Sequence, residues 1–224
     1  VIAKPEKIKK TDHSIQTETM NITSKFLRKG ELTRAAILET ALDSASRNGL
    51  EGLTIGLLAE KMNMSKSGVF AHFGSREDLQ IEVLRLYHHT FEQEVFYPSM
   101  KESRGLPRLR SMFALWIQRV TKEIASGCIY ISGATEYDDR QGVIRDELVA
   151  MVDAWQGALR RATVQAMELN HLRNDVEADQ IVYEMYGLIL ALHHDARFLK
   201  KSGSVQRAEI GFERVIESYA PKAK

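Results

Sequence analysis

Apolar residues return every three to four positions through most of this chain, and long stretches contain neither proline nor glycine. That period puts them on one face of an α-helix, whereas a half-buried strand would alternate. Only 4 prolines occur among 224 residues, so little in the chain stops a helix once it has begun. An all-α fold is therefore expected. With 44% hydrophobic residues the chain can bury a core without covalent staples, and its single cysteine, Cys128, cannot form an internal disulfide. No run of about 18 apolar residues argues for a transmembrane helix, and the N-terminus lacks the apolar stretch of a signal peptide. The expectation is a cytoplasmic protein with no membrane partner.

The pattern divides the chain into three parts. Residues 1–30 are polar, have little periodicity and carry Lys4, Lys7, Lys9, Lys10, Lys25, Arg28 and Lys29. They read as a basic, mobile arm, either merely solvated or adding contacts to phosphate. Residues 31–76 hold three helices. Ala35, Leu38, Leu42 and Ala45 mark the first from Thr33, and Asn48-Gly49 ends it. Thr54 caps the second, with Ile55, Leu58, Ala59 and Met62 inward, and Ser65 caps the third, which runs to about His72. Ser75 with Asp78 resembles a capping box opening a fourth helix that ends at Tyr97-Pro98. The rest of residues 77–224 contains five further helical segments, near 106–124, 132–139, 144–169, 177–199 and 205–219. Charge follows the same division. Residues 1–76 hold 12 Lys/Arg against 8 Asp/Glu, the remainder 19 against 22, so basic character lies toward the end expected to meet a polyanion.

The stretch from Thr54 to Phe73, TIGLLAEKMNMSKSGVFAHF, reads as a helix-turn-helix. Two short helices joined by a tight turn cross closely, so the first needs a small residue at the crossing, and Ala59 supplies it. Asn63 tolerates the left-handed backbone that an abrupt turn demands. The second helix opens on Ser65, Lys66, Ser67 and Gly68, small or polar residues that let its backbone approach DNA, while Val69 and Phe73 anchor it inward. Lys66 offers a cation to phosphate or to the acceptors of guanine. His72 either reaches phosphate or bonds within its own domain.

The region from Thr33 through Leu79 also resembles the DNA-binding domain of TetR-type (TetR/AcrR) regulators. Thr33-Arg34-Ala35-Ala36-Ile37-Leu38 matches the opening of that family's first helix. Ser65 through Phe70, His72-Phe73, Ser75-Arg76 and Leu79 match its second signature. The resemblance implies an N-terminal three-helix helix-turn-helix domain and a larger C-terminal helical domain for ligand binding and dimerisation. It implies that Thr54, Ser65, Lys66, Ser67, Gly68, Val69, Phe70, His72, Phe73 and Arg76 approach operator DNA. Phe70 departs from the tyrosine frequent in the family, so a phenolic hydrogen bond to phosphate is lost. Asn63 replaces the usual glycine, and Arg76 replaces a lysine while keeping a cation.

Beyond Pro98 the resemblance gives architecture only, and implies that the last two long helices pair with those of a second subunit. Met185, Leu188, Ile189 and Leu192, with Phe212, Val215 and Tyr219, form apolar stripes fit for that homodimer, although a buried protomer core would use the same stripes. Phe113, Trp116, Tyr130, Glu136, Tyr137, Trp155, Tyr183 and Tyr186 combine apolar walls with directed polar groups, as a small-molecule pocket requires, and equally suit a core. Cys128 reads as a small buried residue rather than a redox switch.

No nucleophile elbow, zinc-binding His-Glu pair, phosphate-cradling glycine loop or cysteine cluster is found, so neither an enzyme nor a cofactor or metal is expected. A ligand-free architectural DNA binder leaves the aromatic-rich C-terminal part without a use. The reading is a dimeric repressor of a palindromic operator, released by a small effector that changes the separation of the two reading heads through the fourth helix.

Overall fold

The computed structural model describes residues 29–221, and the described part is helical throughout, without strands. The basic arm lies almost wholly outside the described residues. The first helix, α1 (Lys29–Asn48), starts four residues before Thr33, with Glu31 in its first turn and Arg47 in its last, both matched to the helix dipole. Gly49, at φ 81°, ends it and donates its N–H to the Ala45 carbonyl at 2.8 Å. Helices α2 (Ile55–Lys61) and α3 (Lys66–Phe73) follow, capped by Thr54 and Ser65. Asn63 takes φ 52° between them, the left-handed turn its side chain permits.

Helix α4 (Arg76–Phe91) begins where Ser75 accepts the Asp78 N–H at 2.9 Å and donates its hydroxyl to the Asp78 carboxylate at 2.6 Å. It does not stop at Tyr97-Pro98. A π-helical turn, Glu92–Phe96, widens it and hands over to a short helix, Tyr97–Ser99, with Pro98 in its first positions. A proline there has no N–H to miss, and this is why the chain passes through it.

Five further helices form the larger body: α5 (Leu106–Glu123), α6 (Ile129–Glu136), α7 (Val143–Glu168), α8 (Ala178–His193) and α9 (Ser204–Ser218). A second π-helical turn, His194–Phe198, extends α8. Helix α6 lies three residues earlier than its pattern predicts. Gly133 sits inside the helix where Leu148 approaches, and a Cβ there would stand 2.9 Å from the Leu148 side chain. No helix among the described residues is long and apolar enough to cross a membrane.

The core of the larger body is aromatic. Phe113 of α5 stacks on Phe212 of α9 at 4.1 Å, and Trp155 of α7 meets Phe91 and Trp116 edge-on at 4.9 and 5.4 Å. The stripes expected to face a second subunit are absorbed here. Met185, Ile189, Leu192, Phe212 and Tyr219 are buried within the protomer, and Leu188 and Val215 are half-buried. They pack against the other helices because α8 and α9 lie on one another and on α5. The face of α8 left outside instead carries Tyr183, Gly187 and Leu190, followed by Phe198, with Tyr183 76% and Phe198 74% exposed.

The two parts of the chain meet at the end of α1. Gly127, at φ 110°, brings the turn between α5 and α6 against the Ser46 carbonyl, where an added Cβ would stand 2.1 Å from that oxygen. Arg197 holds the same turn by donating to the Ile124 carbonyl at 2.7 Å and the Ser126 carbonyl at 3.3 Å. Gly127→Ala combines left-handed strain with a backbone clash, so it is expected to lower stability by at least about 2 kcal/mol in urea unfolding. A loss under about 1 kcal/mol would show that the junction yields cheaply.

Candidate functional site

The reading head is α2, the Asn63 turn and α3. Thr54 accepts the Leu57 N–H at 3.1 Å and Ser65 accepts the Gly68 N–H at 3.1 Å, so each short helix begins at a side-chain cap. The Met64 N–H closes the turn on the Ala59 carbonyl at 2.8 Å, and Ala59 is buried at the crossing. From behind, the Arg34 guanidinium lies over the Phe73 ring at 4.9 Å and pairs with Glu82 at 3.0 Å, joining α1, α3 and α4.

The ten residues predicted to approach DNA separate by exposure. Thr54, Ser65, Lys66, Ser67 and Phe70 are exposed, and Gly68 and His72 are half-buried. Phe70 is 52% exposed despite its apolar ring. Val69 and Phe73 are buried and hold α3 onto the domain, so they present no surface. Arg76 also turns inward. Its guanidinium donates to the carbonyls of Leu53 at 2.9 Å and Glu51 at 2.6 Å and pairs with the Glu51 carboxylate at 3.1 Å. Its Nε and one Nη hold the loop before α2, which sequence spacing could not reveal. The Lys66 chain runs back over Gly56, and a Cβ there would stand 3.7 Å from its Nζ. The ammonium thus lies at the first turn of α2.

The eight residues predicted to line a ligand pocket fall in three places. Phe113, Trp116, Tyr130 and Trp155 are buried in the aromatic core. Tyr183 and Tyr186 border an open depression of about 600 Å³ between α7 and α8, with Asp153, Arg160 and Leu190. Glu136 and Tyr137 face the reading head. The Glu136 carboxylate accepts the backbone N–H groups of Leu50 at 2.8 Å and Glu51 at 3.0 Å. Gly49 is required beside it, because an added Cβ would meet that carboxylate at 2.4 Å. Tyr137 donates to Glu51 at 2.6 Å, Arg140 pairs with Glu51 at 3.1 Å, and Gln80 of α4 donates to the Leu50 carbonyl at 2.7 Å. The Tyr137 hydrogen bond, with Arg76 and Arg140, outweighs burial and holds the Glu51 carboxyl below its ordinary range. Burial and the bond to Glu51 push the Tyr137 phenol up. The loop between α1 and α2 is therefore gripped by the C-terminal end of α6. Of this network, Glu136, Tyr137 and Arg76 carried a functional signal in the sequence, each for a different role.

A second polar cluster is buried where α4, α5 and α6 meet. Tyr87 donates to Glu123 at 2.8 Å, Arg119 donates to Glu123 and Glu94 at 2.7 Å each, and Cys128 lies 3.2 Å from the Tyr87 oxygen. Burial, reinforced by the Glu123 charge, pushes the Cys128 thiol up to about 12. Such a thiol has almost no thiolate at neutral pH. Among the described residues no His, Cys, Asp and Glu group has the form of a metal site.

Two family models match the chain in register with this division. Residues 37–83 match the bacterial regulatory proteins of the tetR family, and residues 105–212 match the tetracyclin repressor-like C-terminal domain. The HTH-type transcriptional repressor DhaR of Mycobacterium sp. (strain GP1) is 21% identical over 166 residues, 71% of this chain and 81% of DhaR. A TetR transcriptional regulator from Chloroflexus aurantiacus superposes with a TM-score of 0.75 at 18% identity, over 85% of this chain and 96% of its own. AibR, solved in complex with isovaleryl coenzyme A and operator DNA, superposes with a TM-score of 0.64 at 22% identity, over 85% of this chain and 99% of its own. A capped helix-turn-helix at one end, a separate helical body at the other and a family model matching each part make this chain a member of the TetR family of transcriptional regulators.

Proposed function

We propose that this regulator is a repressor that binds a palindromic operator as a homodimer and is released by a small effector held in the α5–α9 body. The observation that carries the reading is the grip of α6 on the α1–α2 loop. Two backbone N–H groups of the α1–α2 loop, which leads into the reading head, end on one carboxylate of α6, so a shift of α6 acts on that loop. DhaR is a repressor and AibR is seen with both a ligand and operator DNA, and both parts of that arrangement have counterparts here.

Thr54, Ser65, Lys66, Ser67, Gly68, Phe70 and His72 form the DNA face. Two such faces read successive major grooves only when roughly 34 Å apart. The outward face of α8, Tyr183, Gly187 and Leu190 with Phe198 beyond, is the surface on which a second copy would set that distance. Effector binding that moves α6 or tilts α4 changes the separation and weakens operator affinity. The test is fluorescence anisotropy on a duplex the protein selects from a random pool, at two salt concentrations. Sequence-selective binding at two protomers per site supports the reading. Equal and weak binding to every duplex would sink it.

Two variants probe the named contacts. Because the Lys66 ammonium lies by the first turn of α2, the helix that crosses the sugar-phosphate backbone, Lys66→Ala should lower the salt slope by about one as well as weaken binding. An unchanged slope with altered base preference would place Lys66 on a base edge. Glu136→Ala leaves the Leu50 and Glu51 N–H groups without their acceptor, so it should cost about 1–3 kcal/mol in urea unfolding and weaken operator binding several-fold. Glu136→Gln, which keeps an acceptor oxygen, should lie closer to wild type. Wild-type stability and operator affinity in Glu136→Ala would remove the grip as a coupling element.

A further inference from the structure

Helix α3 turns Val69 and Phe73 into its own domain. At about 100° per residue, the side opposite them is the line Ser67, Ala71 and Gly74, with Phe70 beside it, and all four are exposed. Three of the four are small, so the helix backbone can come close to whatever it meets there. Of the four, only Phe70 has a side chain that reaches well beyond the backbone, and it is 52% exposed.

The polar groups near this line stand to its sides. Lys66 runs back toward Gly56 of α2. The Ser67 hydroxyl lies 3.1 Å from that of Ser65, which also accepts the Gly68 N–H. His72 is half-buried in the last turn. A phenylalanine ring laid on a base edge makes no hydrogen bond. Over guanine O6 and N7, or over the amino group of cytosine or adenine, it would remove water without replacing its bonds, which costs free energy. The thymine methyl is the one apolar group that a base pair shows in the major groove, and covering it takes apolar surface of both partners out of water.

We infer that Phe70 is a specificity-determining residue of the operator interface, its ring seated on a thymine C5-methyl group in the major groove, once in each half-site. The inference rests on the reading of the chain as an operator-binding homodimer and names one base that the operator must carry. Phe70 has no hydroxyl to give to phosphate, so van der Waals contact is what its ring offers. On sugar that contact would carry no sequence information; on a methyl group it separates thymine from the other bases.

The test is anisotropy of the full chain on the duplex it selects from a random pool, with each thymine replaced in turn, in both half-sites, by deoxyuridine. That change deletes the methyl group and keeps O4. At one position per half-site it should weaken wild-type binding by about fourfold for each methyl lost. Phe70→Ala should bind the thymine duplex more weakly than wild type does, bind the deoxyuridine duplex at that position as well as the thymine one, and keep the wild-type response to deoxyuridine elsewhere. Phe70→Leu, which keeps an apolar side chain, should retain part of the discrimination. Both variants should melt where wild type melts, because the ring is exposed, so a loss of discrimination is separable from a loss of fold. The inference is overturned if no deoxyuridine replacement weakens wild-type binding, or if Phe70→Ala discriminates at every position as wild type does. A pool that yields no preferred duplex would sink the operator reading and the inference with it. A preferred duplex indifferent to thymine methyl groups would sink the inference alone.

Discussion

Two backbone N–H groups on one carboxylate join the halves of this molecule. Leu50 and Glu51 leave α1 pointing their amides at Glu136, and a charged acceptor makes each bond stronger than a neutral carbonyl would. Around it Glu51 receives Tyr137, Arg76 and Arg140, so α4 and α6 act on the same short loop. The reading head is consequently positioned from two directions. Its own packing, through Val69, Phe73 and the Arg34 cation over Phe73, keeps α3 rigid on its domain. The α6 grip then sets where that rigid unit stands relative to the sensing body.

The sensing body divides labour between aromatic packing and a buried ionic cluster. The edge-on rings of Phe91, Trp155 and Trp116 and the stacked pair of Phe113 and Phe212 give interlocking surfaces that resist gradual deformation. Arg119, held between Glu94 and Glu123, ties α5 to the π turn of α4, while the second Glu123 oxygen is buried without a partner, so part of the cost of taking that charge from water stays uncompensated. Both devices meet α4, the aromatic one through Phe91 and the ionic one through Glu94 of its π turn.

Much of the fold was legible because helical periodicity is a local property. The caps at Thr54, Ser65 and Ser75, the left-handed Asn63 and the long helices could be read from neighbours a few residues apart. Misplacements came where a distant partner intervened. Helix α6 carries Gly133 where Leu148 needs the space, and Pro98 falls in the first positions of a short helix, where it has no N–H to miss. The candidate sites were less legible for the same reason. Arg76 offers a cation in sequence, yet its Nε and one Nη are committed to Leu53 and Glu51. Met185 and Ile189 make a stripe that suits a partner subunit, yet the protomer's own helices cover it.

Sequence alone determined the class of fold and the identity of the reading head, since both depend on which residues recur at turn and helix spacing and on a motif confined to some 20 consecutive positions. Tertiary structure decided which way each side chain is spent. Glu136 joins the two parts through the Leu50 and Glu51 N–H groups, Tyr183 rather than Met185 is left on the outside of α8, and the Trp155 N–H is buried without a partner. The physical reason is that hydrogen-bond satisfaction and burial belong to pairs of groups far apart in the chain, as Glu136 and Leu50 are, and no local pattern encodes which member of a stripe finds the partner.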